Sequence, residues 1–337
     1  MHQSFIKGVN LGGWFVLESW MRPSLFENTD YKDETRFMEH IENPHQKLIE
    51  HYETFIKEED FAYIKKIGLN SVRLPIPWWF MGDGIYQASK SYIHQAMRWA
   101  DTYGLDVLLD LHTAPGCQNG FDNGGIQGVM EWHKDPKNID LTIEKLGLIV
   151  DQFKDYKSFM GIEVLNEPFV TIDLEIIQNF YQRSYQLIRS KTDKLIVFHD
   201  AFRPEDPSWK PFFKMHKMKN IAFDLHLYHC FSPKLIEGNF DDHIHEIVKK
   251  RIPRITKIHK FVPVIVGEWS LGINYDKLQK DDTFLEESYD RILGNLQLYA
   301  YSKGLGYYFW NYKIDRPSHR NWDLKRLIED GIFPEKF

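Results

Sequence analysis

The chain has 337 residues, which is long enough for two ordinary domains or for one large α/β barrel. Its formal net charge of -6 argues against nucleic acid or an anionic membrane as the main partner. The aromatic fraction of 15% is high for a plain core and suggests surfaces that stack on a flat-faced ligand.

Eight short runs of β-branched or aromatic residues recur along the chain and predict strands. They are residues 4–10, 70–76, 106–112, 160–166, 194–200, 221–228, 263–269 and 305–311. The stretches between them predict amphipathic helices, including 58–68, 91–104, 174–192 and 287–304, of which the first two end in glycine. Strand and helix alternating to a count of eight is typical of a (β/α)₈ barrel. Because no linker or repeat divides the chain, we expect one (β/α)₈ domain over residues 1–337.

Polar and aromatic side chains collect at the ends of the predicted strands. In a (β/α)₈ barrel the active site is built at the C-terminal strand ends. Six strands end there in a residue suited to chemistry or stacking, and the residues are Arg73, His112, Asn166, Glu167, His226, Tyr228, Glu268 and Trp310. Asp200 also follows a strand. The sequence therefore predicts that these side chains meet at one rim.

The alternation of side chains along a strand adds a deeper layer to this site. Glu163 and Glu167 share one face of their strand, so Glu163 lies further inside if Glu167 points into the barrel mouth. A buried carboxylate requires a cationic or hydrogen-bonding partner. Arg73 and His112 are the two candidates for that partner.

Glu167 and Glu268 are more informative together than apart. Each glutamate alone would more often be a solvated carboxylate at a strand end, and His112 or His226 alone a hydrogen-bonded core histidine. Two glutamates at the ends of two barrel strands indicate paired-carboxylate catalysis. One carboxyl group protonated by a desolvated setting and one ionised carboxylate can together cleave a glycosidic bond.

Other chemistries have little support, and we expect neither a metal nor a cofactor. The histidines of residues 226–230 lie on a predicted strand, which turns His226 and His229 to opposite faces, and residues 243–245 supply two more. Cys117 sits in a glycine-rich loop without a neighbouring base, and no G-x-S-x-G, G-x-G-x-x-G or phosphate-loop motif is present.

The compartment is predicted from two features. Residues 1–13 contain no basic region followed by an apolar one, and no apolar run reaches the length of a membrane span. Cys117 and Cys230 are the only cysteines, which fits a reducing compartment. The sequence as given predicts a cytoplasmic protein, and a secreted one would have lost its signal before residue 1.

Several motifs together resemble a known family. "VLNEP" (164–168) and "VIVGEWS" (264–270) resemble glycoside hydrolase family 5, whose members are retaining (β/α)₈ glycosidases. A longer set looks like its fungal exo-β-1,3-glucanase branch: "GVNLGGWFVLESWMRPSLF" (8–26), "VRLPIPWW" (72–79), "DLHTAPGCQNGFDNGG" (110–125), "DLHLYHCFS" (224–232) and "YYFWNYKID" (307–315). The likeness spans residues 8 to 315. Cys117 stands where that branch has Ser, and Ser19 where it has Pro.

The resemblance implies roles for the predicted site residues. Glu167 would be the acid/base and Glu268 the nucleophile, while Arg73 and Tyr228 would orient Glu268 and Asn166 would hold the sugar 2-hydroxyl. The remaining implied contacts are with the non-reducing sugar, through Glu18, His112, His226 and the platform Trp310. Phe121 and Phe231 map to an aromatic clamp at the pocket entrance, with ordinary loop packing as the alternative.

The function implied by the resemblance is a retaining β-glycosidase that needs no cofactor. Its expected reaction is the release of glucose from the non-reducing ends of β-1,3-glucans. The alternative within the class is a β-glucosidase acting on disaccharides, rutinosides or other β-glucosides. A carbohydrate-binding barrel without catalysis is the alternative from another class, and the presence of both Glu167 and Glu268 counts against it.

Overall fold

The computed structural model describes residues 4–274 and 283–337. Eight parallel strands pair in chain order, and the sheet closes where the last strand pairs with the first. The strands are β1 (Ile6–Asn10), β2 (Ser71–Ile76), β3 (Asp106–Leu111), β4 (Phe159–Glu163), β5 (Leu195–His199), β6 (Ile221–His226), β7 (Val264–Glu268) and β8 (Gly306–Phe309). Each predicted strand is present, so the (β/α)₈ barrel is confirmed.

Helices surround the barrel. Those in the described ranges are α1 (Glu34–His40), α2 (Pro44–Thr54), α3 (Glu58–Lys66), α4 (Lys90–Tyr103), α5 (Pro136–Phe153), α6 (Leu174–Arg189), α7 (Trp209–His216), α8 (Pro233–Ile236), α9 (Phe240–His245), α10 (Ile252–His259), α11 (Thr283–Tyr301) and α12 (Leu324–Glu329). A π-helical segment, Glu246–Arg251, joins α9 to α10. None of these described helices is both long enough and apolar enough to cross a membrane.

The predicted helices are all present, with small shifts at their ends. Helix α11 begins four residues before its predicted start at 287. Gly104 follows α4 with a φ of 62°, a left-handed conformation that glycine adopts without steric cost. Gly68 follows α3 in the same region, with a φ of 87°. Both predicted glycine ends are therefore confirmed.

The barrel interior changes from apolar to polar along the strand direction. Its lower part is filled by Ile6, Leu108, Leu195, Val197, Ala222, Ile265 and Tyr308. Above this layer lie four fully buried charged residues, Arg73, Asp110, Glu163 and Asp224. Because side chains alternate with a period of two, residues two or four positions later reach the barrel mouth. The polar layer therefore lies directly beneath the predicted site.

Candidate active site

Arg73 is the centre of the polar layer. Its Nε donates to Glu163 Oε2 at 2.8 Å, and its Nη2 lies 3.2 Å from Asp110 Oδ2. Burial raises the pKa of Glu163 well above its ordinary value, more than the charge of Arg73 lowers it. Arg73 is thus the predicted partner of Glu163. The other candidate, His112, contacts Asp110 instead, with its Nδ1 2.5 Å from Oδ2.

Glu268 ends β7 and is held from two sides. Nη1 of Arg73 donates to its Oε1 at 3.0 Å, and the Tyr228 hydroxyl donates to its Oε2 at 2.8 Å. Burial, followed by the charges of Glu268 and Glu167, raises the pKa of Tyr228, so its hydroxyl keeps the proton that it donates. These two bonds fix both oxygens of Glu268.

Glu167 lies four residues beyond the end of β4, in a strained backbone conformation. Its φ is 47°, in the left-handed region that residues with a side chain rarely adopt, and such strain persists where the surroundings enforce it. His226 Nδ1 lies 2.7 Å from Oε1, and Asn123 Nδ2 donates to Oε2 at 3.0 Å. The carboxylate is therefore held at a defined place in the barrel mouth.

One nitrogen links the two glutamates and limits the distance between them. Nδ1 of His226 lies 2.7 Å from Glu167 Oε1 and 3.3 Å from Glu268 Oε2. These two oxygens can therefore be no further apart than the sum of the two distances, 6.0 Å. Carboxyl groups lie about 5–5.5 Å apart in retaining glycosidases and about 6.5–9.5 Å apart in inverting ones. The arrangement is that of a retaining enzyme.

His226 carries the positive charge between the glutamates. Burial lowers the pKa of His226, but the carboxylates of Glu268, Asp224 and Glu167 raise it by more. The pKa therefore lies well above its ordinary value. Burial raises the pKa of Glu167, yet hydrogen bonds from His226 and Asn123 outweigh it and leave the pKa below its usual range. For Glu268 burial prevails over the charges of His226 and Arg73, and its pKa is raised. Sequence reasoning expected a desolvated, protonated acid, whereas these pKa directions favour a proton on His226 and an ionised Glu167.

A flat pocket wall forms on the β8 side of the mouth. Trp310 follows β8, and its ring lies nearly parallel to that of His112, with centroids 5.6 Å apart. Gly12 packs on the indole, because a Cβ at that position would be 2.5 Å from Trp310 Cη2. Nε2 of His112 is buried and has no protein hydrogen-bond partner in the described parts of the chain. An unpaired ring nitrogen beside an aromatic face suits a sugar hydroxyl.

Glu18 supplies a carboxyl group from the segment after β1. Trp20 Nε1 donates to its Oε2 at 2.8 Å, while Oε1 is buried without a protein partner in the described ranges. Burial, followed by the charge of Asp122, raises the pKa of Glu18 well above its ordinary value.

Asn166 likewise has one paired and one unpaired polar atom. Its Oδ1 accepts from Arg73 at 2.9 Å, and its buried Nδ2 has no partner among the described residues.

Phe121 and Phe231 lie in different loops at the rim, and each packs on its own neighbours. Phe121 is 38% exposed and meets Phe169 edge to face at 5.4 Å. Phe231 is 70% exposed, and the centroid of its ring lies 5.3 Å from that of Tyr228 and 6.4 Å from that of Trp322. Two large exposed rings at a polar mouth are available for stacking on a ligand.

Two groups of side chains bring possible metal ligands together, but their protonation does not suit a metal. One group is Glu167, His199 and His226, and the other is Glu163, Asp224 and His226. In each group the possible ligand atoms all lie within 4.8 Å of one another. The Ala201 N–H donates to Nδ1 of His199 at 3.0 Å, which places the ring proton on Nε2. The neighbouring carboxylates raise the pKa of His226 and favour its protonated ring, whereas metals bind the neutral ring. These residues therefore fit a hydrogen-bond network better than a metal site.

His229 and His243, from the histidine-containing stretches 226–230 and 243–245, contact each other outside this network. Nδ1 of His229 lies 2.9 Å from Nδ1 of His243 in α9, and both rings are buried. No third ligand atom joins this pair in residues 4–274 and 283–337. The sequence treated residues 226–230 as strand, but β6 ends at His226, so the position of His229 away from the site is set by the segment after the strand and not by strand alternation.

The structure brings the predicted site residues to one mouth and adds some that the sequence did not single out. Arg73, Asn166, Glu167, His226, Tyr228 and Glu268 form one connected network. Asn10 joins it, because its Oδ1 accepts from Arg73 at 3.0 Å and its Nδ2 donates to Gly267 O. In the sequence, Asn10 could have been found as a polar residue at the end of a predicted strand. Asn123 comes from a loop, where no periodicity marks it.

The fold and this network define the class of protein. A parallel (β/α)₈ barrel with two carboxyl groups at the ends of β4 and β7, close enough for retention, is a glycoside hydrolase. A family model described as Cellulase (glycosyl hydrolase family 5) matches residues 32–316. The chain belongs to glycosyl hydrolase family 5.

Individual relatives agree with this assignment. A protein of Pichia angusta named glucan 1,3-beta-glucosidase is 31% identical over 379 residues, covering 98% of this chain and 86% of the relative. One of the same name from Schwanniomyces occidentalis is 32% identical, with 98% and 88% covered. The crystal structure of rutinosidase from Aspergillus niger superposes with a TM-score of 0.85 over 98% of both chains, at 19% identity. That last likeness concerns the fold.

Proposed function

We propose that this glycoside hydrolase removes glucose from the non-reducing ends of β-1,3-glucans by double displacement, and that residues 1–337 act as one domain. The observation that carries the chemistry is Glu268 held by Arg73 and Tyr228, with Glu167 no more than 6.0 Å away. The names of the similar proteins support the substrate.

In the first step Glu268 attacks the anomeric carbon and forms a glycosyl ester while the bond to the leaving oxygen breaks. Arg73 and Tyr228 keep the attacking carboxylate ionised and aligned. Glu167 gives a proton to the leaving oxygen. The unpaired Nδ2 of Asn166 is available to donate to the sugar, a contact with the 2-hydroxyl that strengthens in the transition state.

The proton for this step belongs to the pair of Glu167 and His226. In the free protein the raised pKa of His226 favours a proton on its ring, whose Nδ1 lies 2.7 Å from Glu167 Oε1. As the leaving oxygen gains negative charge, a proton passes from His226 to Glu167 and from Glu167 to that oxygen, which leaves His226 neutral and Glu167 ionised for the second step.

In the second step Glu167 acts as the base. Esterification removes the negative charge of Glu268, and loss of a neighbouring like charge lowers the pKa of Glu167. The ionised Glu167 then takes a proton from water, which attacks the anomeric carbon and frees Glu268.

Action at a chain end is supported by the surroundings of the glycone pocket. Trp310 gives this pocket its flat wall, and Glu18 and His112 offer unpaired polar atoms for hydroxyl groups. Phe121 and Phe231 lie at the entrance, where the next sugar along the chain would stack.

A product profile on laminarin, cellobiose, gentiobiose and rutin tests the proposed substrate. The expected result is glucose as the first product from laminarin, with slower reaction on the other three. Rutin as the preferred substrate would favour the alternative of a rutinoside-cleaving β-glucosidase. Absence of turnover on every substrate, including aryl β-glucosides, would contradict the proposal and favour a carbohydrate-binding barrel.

A further inference from the structure

Arg251 is a buried cation with an unusual set of partners. It ends the π-helical segment between α9 and α10 and is only 2% exposed. No ion pair links it to a carboxylate within the ranges that the structure describes. The carboxylate of Glu246 attracts this cation at longer range, but the hydrogen bonds of Arg251 in the described ranges all go to neutral acceptors. Burying a cation without a direct ion pair is costly, so this guanidinium requires a reason to be there.

Its partners lie directly behind the tyrosine that contacts Glu268. Nη1 of Arg251 donates to the carbonyl of Leu227 at 2.9 Å, and Nη2 donates to the carbonyl of Tyr228 at 2.6 Å. The last ladder bond between β6 and β7 joins Leu227 N to Glu268 O at 2.9 Å. Beyond this bond the backbone leaves the sheet, and Arg251 holds it.

The same network reaches the strand that carries Glu268. Nη1 of Arg251 also contacts the Tyr301 hydroxyl at 3.3 Å and Gln297 Oε1 at 3.4 Å, and that hydroxyl donates to Gln297 Oε1 at 2.8 Å. Nε2 of Gln297 donates to the carbonyl of Ser270 at 3.2 Å, two residues beyond Glu268. Arg251, Gln297 and Tyr301 therefore tie together the backbone at the ends of β6 and β7.

We propose that Arg251, supported by Gln297 and Tyr301, is a positioning residue that sets the hydrogen bond between Tyr228 and Glu268. The inference rests on the proposed function, in which Glu268 is the nucleophile. Arg251 touches neither substrate nor reacting atoms and acts through the backbone of Tyr228. A shift of this backbone by 1 Å costs about 100-fold in rate when it misplaces a reacting group.

A double-mutant cycle tests this inference with 4-nitrophenyl β-D-glucoside as substrate. Arg251→Gln should lower kcat about 10-fold or more and leave KM within about twofold, because the misplaced contact acts on the nucleophile. Arg251→Lys keeps the charge but replaces the two-pronged guanidinium by a single ammonium group, and it should recover part of that loss. In a Tyr228→Phe background, Arg251→Gln should change kcat less than about twofold, since the contact on which it acts is already gone.

The matched control is Lys250→Gln, the neighbouring cation, which is exposed and pairs with Glu246 at 2.7 Å. It should leave kcat unchanged. A full Arg251→Gln loss that persists beside Tyr228→Phe, or a loss confined to KM, would overturn the inference. Unchanged turnover of Tyr228→Phe would also overturn the inference, because the contact that Arg251 is proposed to set would then not matter, whereas a wild type that turns over no β-glucoside would overturn the proposed function.

If Arg251→Gln does not fold, as thermal melting would reveal, Tyr301→Phe and Gln297→Met take its place in the cycle. Each removes one link while conserving the shape of the side chain. Losses of kcat that are again non-additive with Tyr228→Phe support the inference, and additive losses contradict it.

Discussion

The hydroxyl of Tyr228 donates a 2.8 Å hydrogen bond to Oε2 of Glu268, across the ends of β6 and β7. A donor to a carboxylate stabilises its charged form, so this bond lowers the pKa of Glu268 against the burial that raises it. In the proposed mechanism Glu268 must be ionised to attack. The bond therefore bears on the pH range of activity as well as on the orientation of Glu268.

Tyr228→Phe should slow the reaction and move the acid limb of the pH profile. Removal of the donor destabilises ionised Glu268, which raises its pKa, so the activity that is lost on acidification is lost at higher pH than in the wild type. A bond to a charged group contributes about 1.5–3 kcal/mol, which predicts a loss of about 10- to 100-fold. The measurement is kcat/KM against pH.

The matched control is Tyr103→Phe, since Tyr103 donates to the surface carboxylate of Glu58 at 3.3 Å. It should leave the profile in place. An acid limb that stays fixed or moves to lower pH in Tyr228→Phe would contradict the assignment.

Glu268→Gln should abolish turnover without unfolding the protein. The amide cannot form the glycosyl ester, so we expect a loss of about 10⁴-fold or more, equivalent to about 5 kcal/mol of barrier. Glu39→Gln, a change at an exposed carboxylate paired with Arg36, provides the control. More than a few per cent of wild-type kcat in a sequence-verified Glu268→Gln protein would be incompatible with a nucleophilic Glu268.

Glu167→Ala should be selective for the leaving group. Leaving groups of low pKa depart without an acid, so 2,4-dinitrophenyl glucoside should still form the glycosyl-enzyme, while laminaribiose should not. Only the second step then lacks its base, and azide should restore turnover and yield a β-glucosyl azide. Equal losses on both substrates, without an azide product, would assign the acid/base role to another residue.

The sequence predicts the parts of this site that strands deliver. Glu167, His226 and Glu268 follow apolar runs, and barrel topology brings such strand ends to one rim whatever their separation along the chain. Asn123, and the Trp322 that packs beside Tyr228 and Phe231, come from short 3₁₀ segments within loops, whose paths depend on tertiary contacts and leave no periodic pattern.

The protonation of the site was also beyond the reach of the sequence. Burial alone would protonate Glu167, which is the sequence-based expectation. The 2.7 Å contact with His226 reverses that outcome, and it depends on how the ends of β4 and β6 approach each other. Strand patterns specify which residues face the mouth but not the distances between them.

The stereochemical course follows from the separation of the glutamates. Glu167 Oε1 and Glu268 Oε2 are at most 6.0 Å apart, the sum of their distances to His226 Nδ1, which leaves no room for the water that inversion requires. Proton NMR of early laminaribiose hydrolysis should show the β-anomer of glucose before mutarotation. Formation of the α-anomer first would mean inversion and a different arrangement in the complex.

The shape of the entrance predicts exo action. The resemblance to the exo-β-1,3-glucanase branch implies that Glu18, the loop of residues 112–125 and the loop at Phe231 surround the non-reducing end of the sugar, which favours a pocket that accepts a chain end. Early hydrolysis of laminarin should then release glucose alone, as chromatography of the first products would show. Mixed oligosaccharides at early times would make the enzyme endo-acting.

Replacing both Phe121 and Phe231 by Ala should separate binding of the second sugar from the chemistry. The rings are 38% and 70% exposed and pack on Phe169 and Tyr228, so their loss should remove stacking beyond the reacting sugar. We expect kcat/KM for laminaritriose to fall about 10-fold or more, since each lost stacking contact is worth about 1 kcal/mol, while 4-nitrophenyl glucoside changes less than about threefold. Tyr299→Ala, which removes a ring that is 57% exposed on α11, should affect neither substrate. Equal losses on both substrates would mean that the two phenylalanines support the loops and do not bind sugar.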